Sequence, residues 1–183
     1  MSPVNVKIPV GLVRTLNVIG VYSDGSRSSL NAFCNFISKD PKVVEISSIF
    51  GTSDEKGKVT AKSAGKADID IFCYGKSIST SIEVTDDKLI ELFVSPSQSD
   101  VLISNPQIAG INNLRFNADG KFDSGEIYNL SFQSQWFSSD ETKCKIFNSF
   151  GLKGLVQLLS TGTCEIWAEF DGIKSKAAKV NIR

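Results

Sequence analysis

Val21-Tyr22-Ser23-Asp24-Gly25-Ser26-Arg27-Ser28-Ser29-Leu30-Asn31-Ala32-Phe33-Cys34-Asn35-Phe36-Ile37-Ser38-Lys39-Asp40-Pro41-Lys42-Val43-Val44-Glu45-Ile46 is the stretch from which the fold can be read. It opens on a strand, turns at Asp24-Gly25, and continues into a second strand around Phe36. A further turn at Ser38-Lys39-Asp40-Pro41 leads to a short strand ending at Ile46. Asp-Gly between extended segments is a strong turn signal, and a proline cannot donate to a β-ladder, so Pro41 closes the strand before it. A weaker copy begins at Ala118-Asp119-Gly120, passes through Trp136 and ends at Ile146.

Upstream of this stretch, Leu16, Val18, Gly20 and Tyr22 share one parity and are expected to face a core. Downstream, Lys58-Val59-Thr60-Ala61 reads as a short strand. The cleanest alternation of the chain follows, with Ala67, Ile69, Ile71 and Cys73 on one face and Asp68, Asp70 and Phe72 on the other. A hairpin at Tyr74-Gly75-Lys76 leads into a strand ending with Ile82 and Val84. Short, evenly spaced strands without a helical period indicate a β-sandwich.

A polar break at Thr85-Asp86-Asp87-Lys88 separates a first unit, residues 1–86, from a second, residues 87–183. The break is too short for a loose tether, so semi-rigid coupling is expected. In the second unit the strand 89–94 ends at Ser95-Pro96, and an irregular, Asn-rich region runs to Phe116. Trp136, Ser138 and Asp140 then match Phe36, Ser38 and Asp40. After a loop three residues shorter, Gly154, Val156, Gly162 and Ile166 match Gly57, Val59, Gly65 and Ile69. This agreement argues for duplication. The segment between Gly120 and Trp136 reads as longer than its counterpart.

Composition narrows the function. Among 183 residues, 20 Lys and Arg balance 20 Asp and Glu, so the basic excess expected of a nucleic-acid or anionic-membrane binder is missing. Histidine is absent, which removes Ser-His-Asp and Cys-His catalysis and every His-ligated metal site. No apolar run approaches the ~20 residues of a membrane helix. The start, Met1-Ser2-Pro3-Val4, lacks the basic and apolar regions of a signal peptide. The first unit's opening strand is expected to be truncated, with any export signal upstream.

The wording of the first unit resembles the bacterial immunoglobulin-like domain, group 2. Tyr22-Ser23-Asp24-Gly25-Ser26, an aromatic residue before Ser-x-Asp, Gly57-Lys58-Val59-Thr60-Ala61, Gly65-Lys66-Ala67-Asp68-Ile69 and Ile82-Glu83-Val84-Thr85 carry the likeness. Leu89-Ile90-Glu91-Leu92-Phe93-Val94-Ser95-Pro96 is similar to the family's entry into a following domain. The first unit departs from the family with Phe36 in place of its usual tryptophan. The Lys-, Ser-, Asn- and Phe-rich wording is most similar to tandem repeats of spirochaete surface proteins. The resemblance implies an all-β protein of two tandem immunoglobulin-like Greek-key β-sandwiches. It also implies a bacterial cell-surface or extracellular setting, a non-catalytic role in adhesion or as a stalk, neighbouring repeats as partners, and no cofactor or shared catalytic residues.

Phe36 and Trp136 are expected in the two cores. Cys34 and Cys73 fall on strands expected to be neighbours, both facing inward. Two readings stand there: a cross-strand disulfide, or two buried thiols packed as small hydrophobes. Cys144 and Cys164 align with Val44 and Ala67 on opposite sheets, so a bridge between them must cross the core and is less favoured. The alternating acids Asp68, Asp70, Glu165 and Glu169 read as solvated strand faces, and a carboxylate hydrolase would need two acids ~5–9.5 Å apart in a cleft. Asp86 and Asp87 are weak calcium candidates, because a junction gathers oxygen ligands.

Trp167 should point outward, opposite in parity to Cys164, Ile166, Ala168 and Phe170. A large aromatic there is a candidate contact within the chain or with a partner, and Phe72 and Phe93 are weaker candidates of the same kind. Lys174, Lys176 and Lys179 read either as a basic strip or as edge-strand lysines that discourage aggregation. The partners that fit are a host matrix protein or a glycan. A purely structural spacer without a ligand is the alternative.

Overall fold

The computed structural model describes residues 6–48, 56–102 and 113–183. The chain divides into two compact units, Met1–Asp87 and Lys88–Arg183. The division falls inside the polar break Thr85–Lys88, one residue after the 86/87 boundary read from the sequence.

Unit 1 contains β1 (Val6–Pro9), β2 (Val13–Thr15), β3 (Ile19–Val21), β4 (Arg27–Ser29), β5 (Cys34–Ser38), β6 (Val44–Ile46), β7 (Lys58–Ala61), β8 (Gly65–Cys73) and β9 (Lys76–Thr85). One 3₁₀ turn, Asn31–Phe33, precedes β5. One sheet runs β1-β9-β8-β5, with β1 parallel to β9, and the opposing layer is β2-β7-β6. The hairpin β3-β4 stands beside them. This arrangement is an immunoglobulin-like Greek-key sandwich. The burial of Ala67, Ile69, Ile71 and Cys73 alternates with exposed or half-buried neighbours along β8, because successive strand residues point to opposite faces.

Unit 2 repeats the plan with β10 (Leu89–Ser95), β11 (Gln98–Val101), β12 (Asn113–Arg115), β13 (Asn117–Phe122), β14 (Ile127–Asn129), β15 (Gln135–Ser138), β16 (Cys144–Ile146), β17 (Leu155–Leu158), β18 (Gly162–Phe170), β19 (Ile173–Lys174) and β20 (Ala178–Ile182). Its sheets are β11-β20-β18-β15, with β19 on β18, then β12-β17-β16, and β10-β13-β14.

A shared device ties the layers of each unit together. The buried Lys56 donates from Nζ to the Ala32 and Cys34 carbonyls at 2.9 and 3.3 Å, and Lys153 donates to the Ser134 carbonyl at 2.9 Å. The following glycines, Gly57 and Gly154, have φ of +80° and +77°. A Cβ there would lie 2.7 Å from the Leu16 carbonyl oxygen or 2.4 Å from that of Phe116, so only glycine fits.

Four sequence expectations change. Asp119-Gly120 is the middle of β13, not a turn. The turn equivalent to Tyr22–Ser26 is Phe122–Glu126, shown by matching bonds from the Tyr22 and Phe122 amides to the Ser26 and Glu126 carbonyls. Gly120 therefore corresponds to Gly20, both packing on a leucine, and the segment from Gly120 to Trp136 is no longer than that from Gly20 to Phe36. An Asp-Gly pair mimicked a turn because the second unit's turn reads Ser124-Gly125. Tyr22 is exposed because β3 ends at Val21 and Tyr22 opens the turn. Lys179 lies on β20, an inner strand whose outer side is covered by the parallel β11, so it does not guard an edge.

The fourth change concerns a bridge. Cys144 and Cys164 are bonded with Cα atoms 6.3 Å apart, linking β16 to β18 across the two layers. Sheets lie ~10 Å apart at the centre of a sandwich. Only five residues separate β15 from β16, and the amides of Lys143 and Cys144 return to the Asp140 carbonyl, so the layers converge at this corner. Cys34 and Cys73 are also bonded, directly opposite each other on β5 and β8 with Cα atoms 4.4 Å apart.

Candidate functional site

The residues singled out from the sequence fall in separate places. Phe36 and Trp136 fill the cores of their units. The Trp136 indole donates to the Ser131 carbonyl at 2.9 Å, and Asn148 clamps the Trp136 backbone through both amide atoms. Phe36 receives half of that clamp, since its N–H donates to Ser48 Oγ.

Trp167 is on the outer face of β18, half-buried. It stacks on Phe137 across the β15–β18 pair, with ring centroids 5.6 Å apart and 12° between planes. Lys174 Nζ sits 4.2 Å from the indole centroid, and Nε1 donates to Glu169 Oε1. Its contacts are thus with unit 2 itself. Phe93 is half-buried between the inward Leu92 and Val94. Asp87 accepts a bond from Thr85 Oγ1, and among the described residues no three metal-ligating side chains converge. Lys174, Lys176 and Lys179 are all exposed.

Three acids of unit 1, Asp70, Glu83 and Glu45, are tied to lysines. Asp70 pairs with Lys39, and their mutual hydrogen bond holds the Asp70 carboxyl below its ordinary range and the Lys39 ammonium above its own. Glu83 pairs with Lys7 and Glu45 with Lys62.

One candidate does gather neighbours. Phe72, 44% exposed, belongs to an apolar strip at the end of the β5–β8 ladder that the sequence reading did not assemble. Cys34 opposite Cys73 is the last registered pair, and one step further brings Phe33 against Tyr74 with ring centroids 5.4 Å apart. Phe33 is 61% exposed and Tyr74 67%. Ile37, exposed on the same outer parity of β5, extends the strip, and Asn35 and Ser77 flank Phe72 across the sheet.

Tyr74 has φ of +48°, the left-handed region that a bulky side chain rarely adopts. The equivalent residue in unit 2 is Asp171, φ +50°, a type that tolerates this conformation. Tyr-Gly where Asp-Gly is easy was the signal in the sequence. With Asp70 engaged by Lys39, the strip offers aromatic faces edged by neutral amide and hydroxyl groups. That suits stacking and apolar contact, not proton transfer.

No family model matches the chain. It is 27% identical over 174 residues to Ice-binding protein 1 of Shewanella frigidimarina, a match covering 94% of this chain and 18% of that protein. The chain therefore spans about a fifth of the length of the relative it matches. Among solved structures it is similar to domains 5-6 of the S-layer protein SbsC, at 13% identity and TM-score 0.45, covering 97% of this chain and 92% of that one. Domains 4-9 of the same surface layer protein give 12% identity and TM-score 0.48, covering 97% and 30%. Mouse Cadherin-23 EC22-24 gives 15% and 0.35, covering 97% and 62%.

Proposed function

We propose that this chain is a non-catalytic pair of bacterial immunoglobulin-like domains, group 2, from a cell-surface protein. In this reading the chain adheres through the Phe33–Tyr74–Phe72 strip. The observation that carries it is Tyr74: a bulky aromatic kept in a left-handed turn, its ring packed at a tilt of 33° against an exposed phenylalanine. Backbone strain of this kind persists where a side chain is needed in place, and exposed aromatic clusters mark contacts. The disulfides suit an oxidising, extracellular compartment. A matrix protein or a glycan fits the neutral, aromatic character of the strip.

The test is a binding screen of the intact chain on immobilised matrix proteins and neutral glycans, with ice included because of the relative's name. Tyr74→Asn is the informative variant, since asparagine suits the turn and the fold should hold. Binding that disappears in Tyr74→Asn while its melting temperature stays level or rises supports the reading. Binding unaffected by Tyr74→Asn and Phe33→Ser removes the strip from it.

A spacer without a ligand is the second reading, favoured by the match to a small fraction of a much longer relative. Silence of the whole screen at high protein concentration would select it.

A further inference from the structure

The row of side chains through Phe72 has a counterpart in unit 2, and the two differ in chemistry. On the outer face of unit 1, Phe72 on β8 lies opposite Asn35 on β5 and opposite Ser77 on β9. The matching row of unit 2 is Gln135 on β15, Glu169 on β18 and Lys174 on β19. The scaffold therefore accepts polar and charged groups across this row, and the ring in its middle is particular to unit 1.

The aromatic that unit 2 carries on this face, Trp167, is covered by Phe137 beside it and by the Lys174 ammonium over its ring. Phe72 is 44% exposed, and its cross-strand neighbours, Asn35 and Ser77, are too short to reach over the ring. Both neighbours are exposed as well. Strands in a sheet lie ~4.8 Å apart, so an amide and a hydroxyl stand about 5 Å to either side of an open aromatic face. The bonded pair Cys34–Cys73 is the adjacent rung and ties β5 to β8 covalently beside the ring. Asp70, two residues along β8, is already paired with Lys39.

We propose that the row Asn35–Phe72–Ser77 seats one uncharged sugar ring of a glycan chain. This rests on the adhesive reading above and names its ligand. A sugar ring presents C–H groups on its face and hydroxyls around its rim. The C–H groups stack on the negative face of Phe72, and the hydroxyls meet the Asn35 amide and the Ser77 hydroxyl, each of which donates and accepts. The Phe33–Tyr74 pair, at the end of the same strip, gives the chain a further aromatic contact. A polypeptide suits the row less well. β8 is hydrogen-bonded on both sides and has no open edge to which a partner strand could add. An ionic glycan finds no counter-charge within the row.

The test is an NMR titration of the intact chain with hexamers of β-linked glucose, β-linked N-acetylglucosamine and α-linked mannose, with a polyuronate hexamer as the charged control. At least one uncharged hexamer should shift the Asn35 side-chain amide and the backbone amides of Phe72 and Ser77 saturably. Gln135, Glu169 and Lys174 should not shift, and the polyuronate should shift none of the six. Phe72→Thr keeps a strand-forming residue and should weaken binding by about tenfold or more. Asn35→Ala and Ser77→Ala should each weaken it by about two- to tenfold, with melting temperatures that match the parent's. Binding that Asn35→Ala and Ser77→Ala leave at full strength, or that the polyuronate equals, overturns the inference. So does silence of all three uncharged hexamers at millimolar concentration. If a matrix protein is then still captured, and lost in Tyr74→Asn, the adhesive reading stands without the sugar; if nothing is captured, both fall.

Discussion

Reduction of the two disulfides should change the mechanical length of the units by different, calculable amounts. The Cys34–Cys73 bridge encloses a sequence separation of 39, and Cys144–Cys164 one of 20. An extended chain spans at most ~3.3–3.6 Å per residue, so freeing the first loop adds about 130 Å of contour and the second about 65 Å. The 4.4 and 6.3 Å already spanned by the bridged Cα atoms alter these values little. Single-molecule pulling of the intact chain should therefore give two unfolding events, each lengthening on addition of dithiothreitol by its own increment. Loop-closure entropy gives a matching thermodynamic expectation of about 4 kcal/mol lost from unit 1 and about 3 kcal/mol from unit 2. An event whose contour length is the same with and without reductant would show that its unit carries no bridge, and the reasoning for that unit would fail. Increments in the wrong ratio would show different pairing.

Four further outcomes follow from individual residues. Gly154→Ala places a Cβ against the Phe116 carbonyl and the Trp136 ring at positive φ, and should cost about 3 kcal/mol or more by urea unfolding. Gly125→Ala, also at positive φ but in open space, should cost only about 1 kcal/mol. Trp167→Ser removes the Phe137 stack and the Lys174 contact, and should lower the stability of unit 2 by about 1–2 kcal/mol while unit 1 melts unchanged. Asp140 is held down from 3.8 to about 2, first by its bond from Lys143 and then by Thr142. Because the folded value is depressed, its contribution is present above pH 3.8 and is lost as pH falls towards about 2. Acid titration of Asp140→Asn, followed by fluorescence, should show a shallower stability loss across that window than the parent.

The sandwich was legible because its signals are local. The alternation of Ala67, Ile69, Ile71 and Cys73 fixes which face of β8 is inward, and the Gly57 and Gly154 pair marks the same forbidden Cβ in both units. What escaped depends on partners distant in sequence. β11 was hidden because Gln98-Ser99-Asp100 is polar, and only its parallel pairing with β20 makes it a strand. The Cys144–Cys164 bond required knowing that the layers close in at one corner. The Phe33–Tyr74 contact required the ladder register carried one step past its last pair. Trp167 read correctly as outward, but its cover, Phe137, comes from the neighbouring strand, which no periodicity in β18 reveals.

The two units also separate what the scaffold demands from what it leaves free. Where a buried polar group must be met, different residues do it. Asn31 bonds Val18 N–H, Leu16 C=O and Lys56 C=O in unit 1, while Ser131 meets Ala118 N–H and accepts the Trp136 indole on its carbonyl in unit 2. A satisfied network of either kind does the same work, so these positions vary without changing the fold. At the turn after β8 the geometry is the same in both units and the residue is not: Asp171 suits the left-handed backbone, and Tyr74 opposes it. Variation at Asn31 and Ser131 therefore has a structural account on both sides, whereas at Tyr74 the fold sets one contact, with Phe33, against an unfavourable backbone conformation.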